Sequence, residues 1–364
     1  MPVERAGPDE AAAPLLRVDR FEGAAEEWDG FVRAQEGWTH FHLAGWRRVM
    51  SDALGHECIR LAARDETGAL AGVLPLVRVR SALFGHYLVS MPFVNYGGPL
   101  GGAGAVRALA SAAVRQADAD GVKLLELRSR TELPLELPVS HRKVTVVLDI
   151  PGGGPEALFK TFPAKLRSQV RRPAKEGVTV RFGSDQVAPF YEVFARHMRD
   201  LGTPAQSRRL FESIAETFGE SAWFGCAWKD GQPIACGAGF VWNGEFEMTW
   251  ASALNAYRSI SPNMGLYWGF MERAANEGLR LFNFGRCTPG GGTHRFKLQW
   301  GARDEQLWWY QHARGAGAAD GVAGAEAHTP SPDQGAYSWG PRVWKRLPLP
   351  VATALGPRIV RFIP

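Results

Sequence analysis

One order of elements occurs twice in this chain, and it restricts the fold more than any other feature. Cys58 to Ala63, the turn Arg64-Asp65-Glu66-Thr67-Gly68 and Ala69 to Val79 read as a hairpin, because two β-rich runs flank a glycine-containing turn. Trp223 to Lys229, Asp230-Gly231 and Pro233 to Trp242 read the same way. Each hairpin is later followed by a helix and then a glycine-led strand: Ala105 to Ala119 before Gly121 to Leu127, and Pro262 to Asn276 before Gly278 to Phe284. A tandem duplication of one α/β fold accounts for this better than a chance succession of helices and strands.

The second copy is the clearer. Ser261 is placed to cap a helix, and Pro262 follows at the first helical position, where an N–H is not needed. Met264, Tyr267, Trp268, Met271 and Ala275 then recur at steps of three and four, which gives one apolar face to pack on a sheet. Asn243-Gly244 is a two-residue hairpin signal, so Trp223 to Ala251 is expected to form a three-stranded antiparallel meander.

Gly152-Gly153-Gly154-Pro155 follows the strand Val144 to Ile150 and marks a boundary, giving expected domains at 1–150 and 151–312. From 313 to 335 the chain is Gly, Ala, Ser, Pro and Asp with almost no large apolar residue, which reads as a flexible linker. A basic, aromatic tail, 336–364, closes the sequence. It carries Trp339, Trp344 and Phe362 beside Arg342, Lys345, Arg346, Arg358 and Arg361, with no acidic residue after Asp333. That combination suits a membrane headgroup boundary or a partner. It equally suits a tail folded back over an apolar groove, with Trp344 and Ile359 buried.

The 364 residues accommodate two domains of about 150 residues plus a tail. A composition of 45% apolar and 22% charged residues argues against disorder in the body. Cys58, Cys226, Cys236 and Cys287 include no CxxC pair, so neither a zinc site nor a disulfide framework is indicated, no metal is expected, and a reducing compartment fits. Met1 to Arg20 mixes acidic residues into small ones, and no run approaches the roughly 20 apolar residues of a membrane span. The expected location is the cytoplasm, with the inner face of the membrane as a peripheral site. The formal charge of +5 favours an anionic partner only modestly.

Two segments carry candidate chemistry. Lys160, Lys165, Arg167, Arg171, Arg172 and Lys175 fall in a run without acidic residues, and Arg167, Arg171 and Lys175 share one helical face able to meet phosphates. Pro173 limits that helix, and a solvated basic surface explains the run as well. The segment Asn283 to Lys297 leads a strand into the glycine-rich loop Gly290-Gly291-Gly292 and then into Phe296-Lys297. Such a loop brings backbone N–H groups close to anionic oxygens, and a lysine at its exit suits the oxyanion of an acyl-transfer intermediate. The loop has neither a Walker pattern nor a dinucleotide-site order, and a plain surface loop is the alternative. No GxSxG elbow occurs, and Cys287 near His294 is a proximity in sequence only. Direct attack by a substrate amine is the simpler chemistry. Glu245 and Glu247 share a strand face, where one is a candidate general base.

Tyr257-Arg258-Ser259-Ile260-Ser261-Pro262-Asn263, the helix with Tyr267-Trp268, the strand Gly278 to Arg286 and Phe296-Lys297-Leu298-Gln299-Trp300-Gly301 together resemble the Fem-related proteins, nearest the subgroup associated with exosortase and exopolysaccharide systems. The resemblance runs from Phe31 to His312 and includes the tail. It implies an α/β (α+β) fold of two tandem acetyltransferase-like (GNAT) domains with mixed twisted sheets. It also implies transfer of an amino acid from aminoacyl-tRNA to an amine of a cell-envelope, peptidoglycan or exopolysaccharide precursor. On this resemblance Lys297 stabilises the tetrahedral intermediate, and Lys165, Arg167 and Arg171 face substrate phosphates. Tyr257, Asn263, Arg286, His294 and Phe296 are further substrate-binding candidates, with Glu247 as the candidate base. No resident cofactor is expected, only a donor co-substrate, aminoacyl-tRNA or acyl-CoA. Pro173 and Cys287 depart from the family pattern, and no insertion matches the helical arm that some Fem enzymes use to approach tRNA. The loop by which simple acetyltransferases hold coenzyme A is missing before Pro262, which favours a donor other than the coenzyme. A catalytically inactive Fem-like protein that binds an anionic glycan or membrane partner is the rival from a different class.

Overall fold

The computed structural model describes residues 16–314 and 340–364. The linker at 315–335, most of the acidic N-terminal stretch and Trp339 lie outside the described residues. Two mixed sheets are flanked by helices. The first has the order Arg17–Arg20, Glu57–Arg64, Leu70–Ser81, Gly85–Val89, Leu124–Ser129, Trp308–Ala313, Val139–Ser140, with Leu100–Gly101 also on Leu70–Ser81. The second has the order Arg303–Gln306, Val144–Asp149, Leu281–Cys287, Glu245–Ala253, Gln232–Trp242, Ala222–Lys229, Thr179–Phe182.

The repeated pattern has the same topology in each half. An antiparallel meander ends in a strand, a helix crosses over, and the next strand returns parallel to it. In the first half Ala103–Ala119 is that helix, and Tyr87, Leu88 and Val89 pair with Leu124, Leu125 and Glu126. In the second, Pro262–Asn276 is the helix, and Glu245, Phe246 and Glu247 pair with Leu281, Phe282 and Asn283. The three-stranded meander runs from Ala222 to Ala253 with its turn at Asn243-Gly244.

Three expectations change. The boundary at 150 does not coincide with the division between sheets. Val144–Asp149, just before it, belongs to the second sheet, while Trp308–Ala313 returns to pair with Leu124–Ser129 of the first. Ser261 holds the N-cap position in a left-handed conformation (φ 54°), and its side chain makes no capping hydrogen bond. Pro173 does not interrupt the basic helix, which continues as Ala164–Lys175. The proline falls in the last turn and forfeits one bond, the one an N–H there would give to the Gln169 carbonyl, and it lies against Gly265, where an added Cβ would meet Pro173 at 3.0 Å.

The halves share a core. Trp28, Phe41, Trp46 and Tyr96 of the first pack in one cluster with Phe190, Phe211 and Phe240 of the second. His40 stacks on Phe240 with 4.4 Å between ring centroids. Fully burying each large apolar side chain contributes about 1.5–3 kcal/mol, so the junction is a structural core and not a hinge surface. After the described body, Gly340–Trp344 and Leu349–Val360 form two helices. The second buries Ala352 and Gly356, and Gly356 approaches the backbone of Ala205 so closely that a Cβ would meet it at 3.0 Å. His56 Nε2 donates to the Arg361 carbonyl at 2.8 Å, which ties the tail to the first half. Trp344 and Ile359 are half-buried, while Val343, Val351 and Leu355 are exposed. No helix among the described residues is long and apolar enough to cross a membrane.

Candidate active site at the junction of the halves

The strand Leu281–Cys287 bends at Gly285. This residue has φ 73°, and a Cβ there would lie 2.5 Å from the Met248 carbonyl oxygen, so only glycine fits. The pairing with Val144–Asp149 is irregular between Asn283 and Arg286. A bend of this kind takes carbonyls out of the ladder. The Lys297 ammonium occupies them, donating to Gly285 O at 2.6 Å and Arg286 O at 3.1 Å. Lys297 projects from the helix Gly292–Leu298 and is only 3% exposed. Burial pulls its pKa down to about 8, against the attraction of Cys287 and Glu247.

Glu245 and Glu247 do share a face, and that face meets the first half. Asn95 Nδ2 and the Tyr96 hydroxyl both donate to the Glu247 carboxylate. Asn283 Nδ2 donates to Glu245 Oε1 at 2.8 Å and lies 3.3 Å from Glu247 Oε2. Thr145 and the Gly285 N–H in turn donate to Asn283 Oδ1, at 2.6 and 2.8 Å. Arg130 bridges the Glu245 carboxylate, at 2.7 and 2.8 Å, and Glu305, at 2.8 Å. Burial lifts the Glu247 pKa to about 7. Its side chain is 0% exposed and accepts from both Asn95 and Tyr96, so the candidate base is also a tie between the halves.

A cleft of about 330 Å³ opens at the start of the helix Pro262–Asn276, lined among others by Arg258, Asn263, Phe296 and Gln299. The strands Glu245–Ala253 and Leu281–Cys287 stop pairing after Glu247 and Asn283, and Ala253 and Leu254 also line the cleft. Of the expected binding residues, Asn263 and Phe296 line the cleft, while Arg286 and Lys297 are not among its lining residues and meet each other where the strand bends. Tyr257 stands apart, its hydroxyl 3.2 Å from Gln232 Oε1.

His294 is engaged by its own loop and by Asp304. Its Nδ1 accepts the Gly290 N–H at 3.0 Å and its Nε2 lies 2.9 Å from both carboxylate oxygens of Asp304, so it fixes the glycine-rich loop. Lys165 is exposed on its helix. Arg167 and Arg171 line a different, open groove of about 720 Å³ with Lys160, Phe159 and Trp268. There Arg171 stacks on Phe159 at 4.9 Å, and Arg167 donates to Phe162 O at 3.0 Å.

Asn95, Tyr96, Arg130 and Asn283 are residues that the sequence reading missed. The available signal was a polar pair, Asn95-Tyr96, set in the otherwise apolar run Met91 to Leu100. Met91 and Phe93 in that run also have positive φ, 57° and 70°, a conformation that non-glycine residues adopt only when their surroundings hold them there.

Residues 161–298 match the family model described as an acetyltransferase (GNAT) domain. Among solved structures, FemX superposes with a TM-score of 0.61 at 15% identity, covering 80% of this chain and 97% of its own. A tandem GNAT protein from the clavulanic acid biosynthesis pathway gives 0.52 at 14%, over 84% of this chain and 100% of its own. L-PGS from Bacillus licheniformis gives 0.52 at 14%, over 93% and 97%. No curated protein matches the chain in sequence. The fold is α/β, two tandem acetyltransferase-like (GNAT) domains with mixed sheets.

Proposed function

We propose that the chain transfers an acyl group, in the first instance an aminoacyl group from aminoacyl-tRNA, to an amine of a cell-envelope, peptidoglycan or exopolysaccharide precursor. Acyl-CoA is the alternative donor. The observation that carries this reading is Lys297, a buried ammonium held by two strand carbonyls beside the point where parallel strands part.

The chemistry asks little more of the protein. The acceptor nitrogen attacks the donor carbonyl, a C–N bond forms, and charge collects on the carbonyl oxygen. Lys297 has a third N–H beyond those given to Gly285 and Arg286, and this donor stabilises that oxyanion in a site of low dielectric. Collapse then breaks the C–O bond of an aminoacyl ester, or the C–S bond of a thioester, and the proton lost by nitrogen passes to the leaving oxygen or sulfur. The cleft beside Asn263 and Phe296 is where the donor's reactive end enters, and Lys165, Arg167 and Arg171 give its phosphates a basic approach. The division of labour between halves, and a cytoplasmic site of action at the inner face of the membrane, belong to the same reading.

Transfer of label from charged tRNA and from acyl-CoA to amine acceptors, with wild-type chain and Lys297→Ala, tests it. Label from one donor that disappears in the variant supports the assignment. Folded protein that moves label from neither donor refutes it.

A further inference from the structure

We propose that Arg128 and Arg286, each placed against the ring of Trp309 at the junction of the halves, form a binding site for a phosphate group. Arg128 comes from Leu124–Ser129 of the first sheet and Arg286 from Leu281–Cys287 of the second. Their guanidinium carbons lie 4.4 and 5.0 Å from the centroid of the Trp309 ring. Like charges are brought together in this way only where something offsets them.

Among the described residues the acceptors around the two arginines are few. Arg128 is 2% exposed, and only its Nε is engaged, donating to Glu126 Oε1 at 2.7 Å. Its two terminal nitrogens find no acceptor among the described residues. Glu126 also receives Gln311 Nε2 at 3.0 Å on its other oxygen. Arg286 makes no side-chain hydrogen bond and no ion pair among the described residues, and burial together with Arg128 draws its pKa down to about 10. Trp309 is 9% exposed, yet its Nε1–H is buried without an acceptor. Lys143, whose Nζ donates to Thr288 at 2.6 Å, adds positive charge that acts on the same pair. Lys297 is a further cation acting on Arg286. Four cations thus face two carboxylates, Glu126 and Glu247, and the second of these has its pKa lifted to about 7.

What is missing is therefore a group rich in acceptors and in negative charge. A phosphate offers two charges and three terminal oxygens to two guanidinium forks and an indole N–H, where a carboxylate offers one charge and two oxygens. Arg128 also lines a cavity of about 240 Å³, walled by Tyr96, Gly97, Gly98 and Ala103, into which such a group can reach. The inference deepens the acyl-transfer reading, because it places a phosphate of the donor or acceptor at the junction, but its test does not depend on turnover.

The full chain is titrated calorimetrically with inorganic pyrophosphate, with dimethyl phosphate as a phosphodiester, and with acetate at matched ionic strength. Pyrophosphate is expected to bind, and Arg286→Gln to weaken it by about 10- to 100-fold, the range for losing hydrogen bonds to a charged group. Arg286→Lys should recover part of the loss. Because Arg286 has no hydrogen-bond or ion-pair partner among the described residues, Arg286→Gln should leave the melting temperature unchanged or raise it; a drop would mark the arginine as structural and overturn the site. Equal binding by wild type and Arg286→Gln, or acetate binding as tightly as pyrophosphate, overturns it too. Pyrophosphate binding more tightly than dimethyl phosphate would assign the site to a terminal phosphate or diphosphate; dimethyl phosphate, with one charge and two free oxygens, binding as tightly as pyrophosphate would overturn the argument from charge and acceptors. Pyrophosphate binding without acyl transfer would leave the site standing and remove the activity, so the two failures separate.

Discussion

The hydroxyl of Tyr96, in the first half, donates to Glu247 Oε2 in the second, and 151 residues of chain separate the two. A carboxyl group enclosed in this way binds its proton more tightly in the folded chain, near 7, than at its ordinary value of 4.5. The unfolded chain therefore holds fewer protons between these values, and stability falls as pH rises from about 4.5 to 7. The penalty is fully present above 7, absent below 4.5, and of order 3 kcal/mol at most. Glu247→Gln is expected to abolish this slope. Urea denaturation of both proteins at about pH 5 and pH 8 checks it, and parallel behaviour of the two would refute the assignment.

Lys297 gives a prediction in activity, and one of opposite sign in stability. Its ammonium loses a proton near 8, so a reaction that needs the charged form slows as pH rises through that value. Lys297→Ala should lower turnover by roughly 10²-fold or more, as loss of an oxyanion donor does. Stability itself should rise between about 8 and 10.5, where the unfolded lysine is still protonated and the folded one is not. Rate against pH for the wild type, with circular dichroism to verify that the variant folds, reads both effects. A rate that climbs through pH 8 would assign the neutral amine instead.

His294→Ala should act through the loop. It removes the acceptor of the Gly290 N–H and the partner of Asp304, at an expected loss of about 1–3 kcal/mol in stability. Thermal unfolding measures this, and an unchanged midpoint would show that the loop holds its shape without the histidine.

The tail offers a fourth test. Val343, Val351 and Leu355 are exposed beside the exposed Arg342, Lys345, Arg346 and Arg358, while Ala352 and Gly356 face the body. Each basic residue near an anionic surface contributes about 1 kcal/mol. Flotation should recover the full chain with anionic vesicles and leave a chain ending at Gly335 behind. Equal recovery of the two would mean that the tail serves only to brace the body through Gly356 and the His56 to Arg361 bond.

Local pattern made the repeated meander, helix and strand readable in the sequence. Apolar spacing from Met264 to Ala275 and the Asn243-Gly244 turn each depend on neighbours a few residues away. Asn263 and Phe296, which line the cleft, entered through the family resemblance and not through local pattern. What escaped depends on distant pairing. Nothing near Glu247 announces that Asn95 and Tyr96 will enclose it, and nothing near Arg128 announces Arg286. The contact of His294 with Asp304 was not legible because Asp304 lies beyond the motif that drew attention to the histidine. Pro173 was misjudged because its neighbour Gly265 belongs to another helix.

The exchange of Val144–Asp149 and Trp308–Ala313 between the two sheets bears on how such a chain can be divided. A fragment ending at 150 would keep a strand that its own sheet does not pair and would lack the one that covers Leu124–Ser129. A fragment beginning at 151 would lose the strand seated between Leu281–Cys287 and Arg303–Gln306, leaving a gap inside its sheet. Each piece would expose unpaired backbone edges of the kind that aggregate. Whatever ancestral unit was doubled, its descendants are now braided: neither copy can be shuffled into another protein, silenced by truncation or replaced by a homologous module without unravelling its sibling.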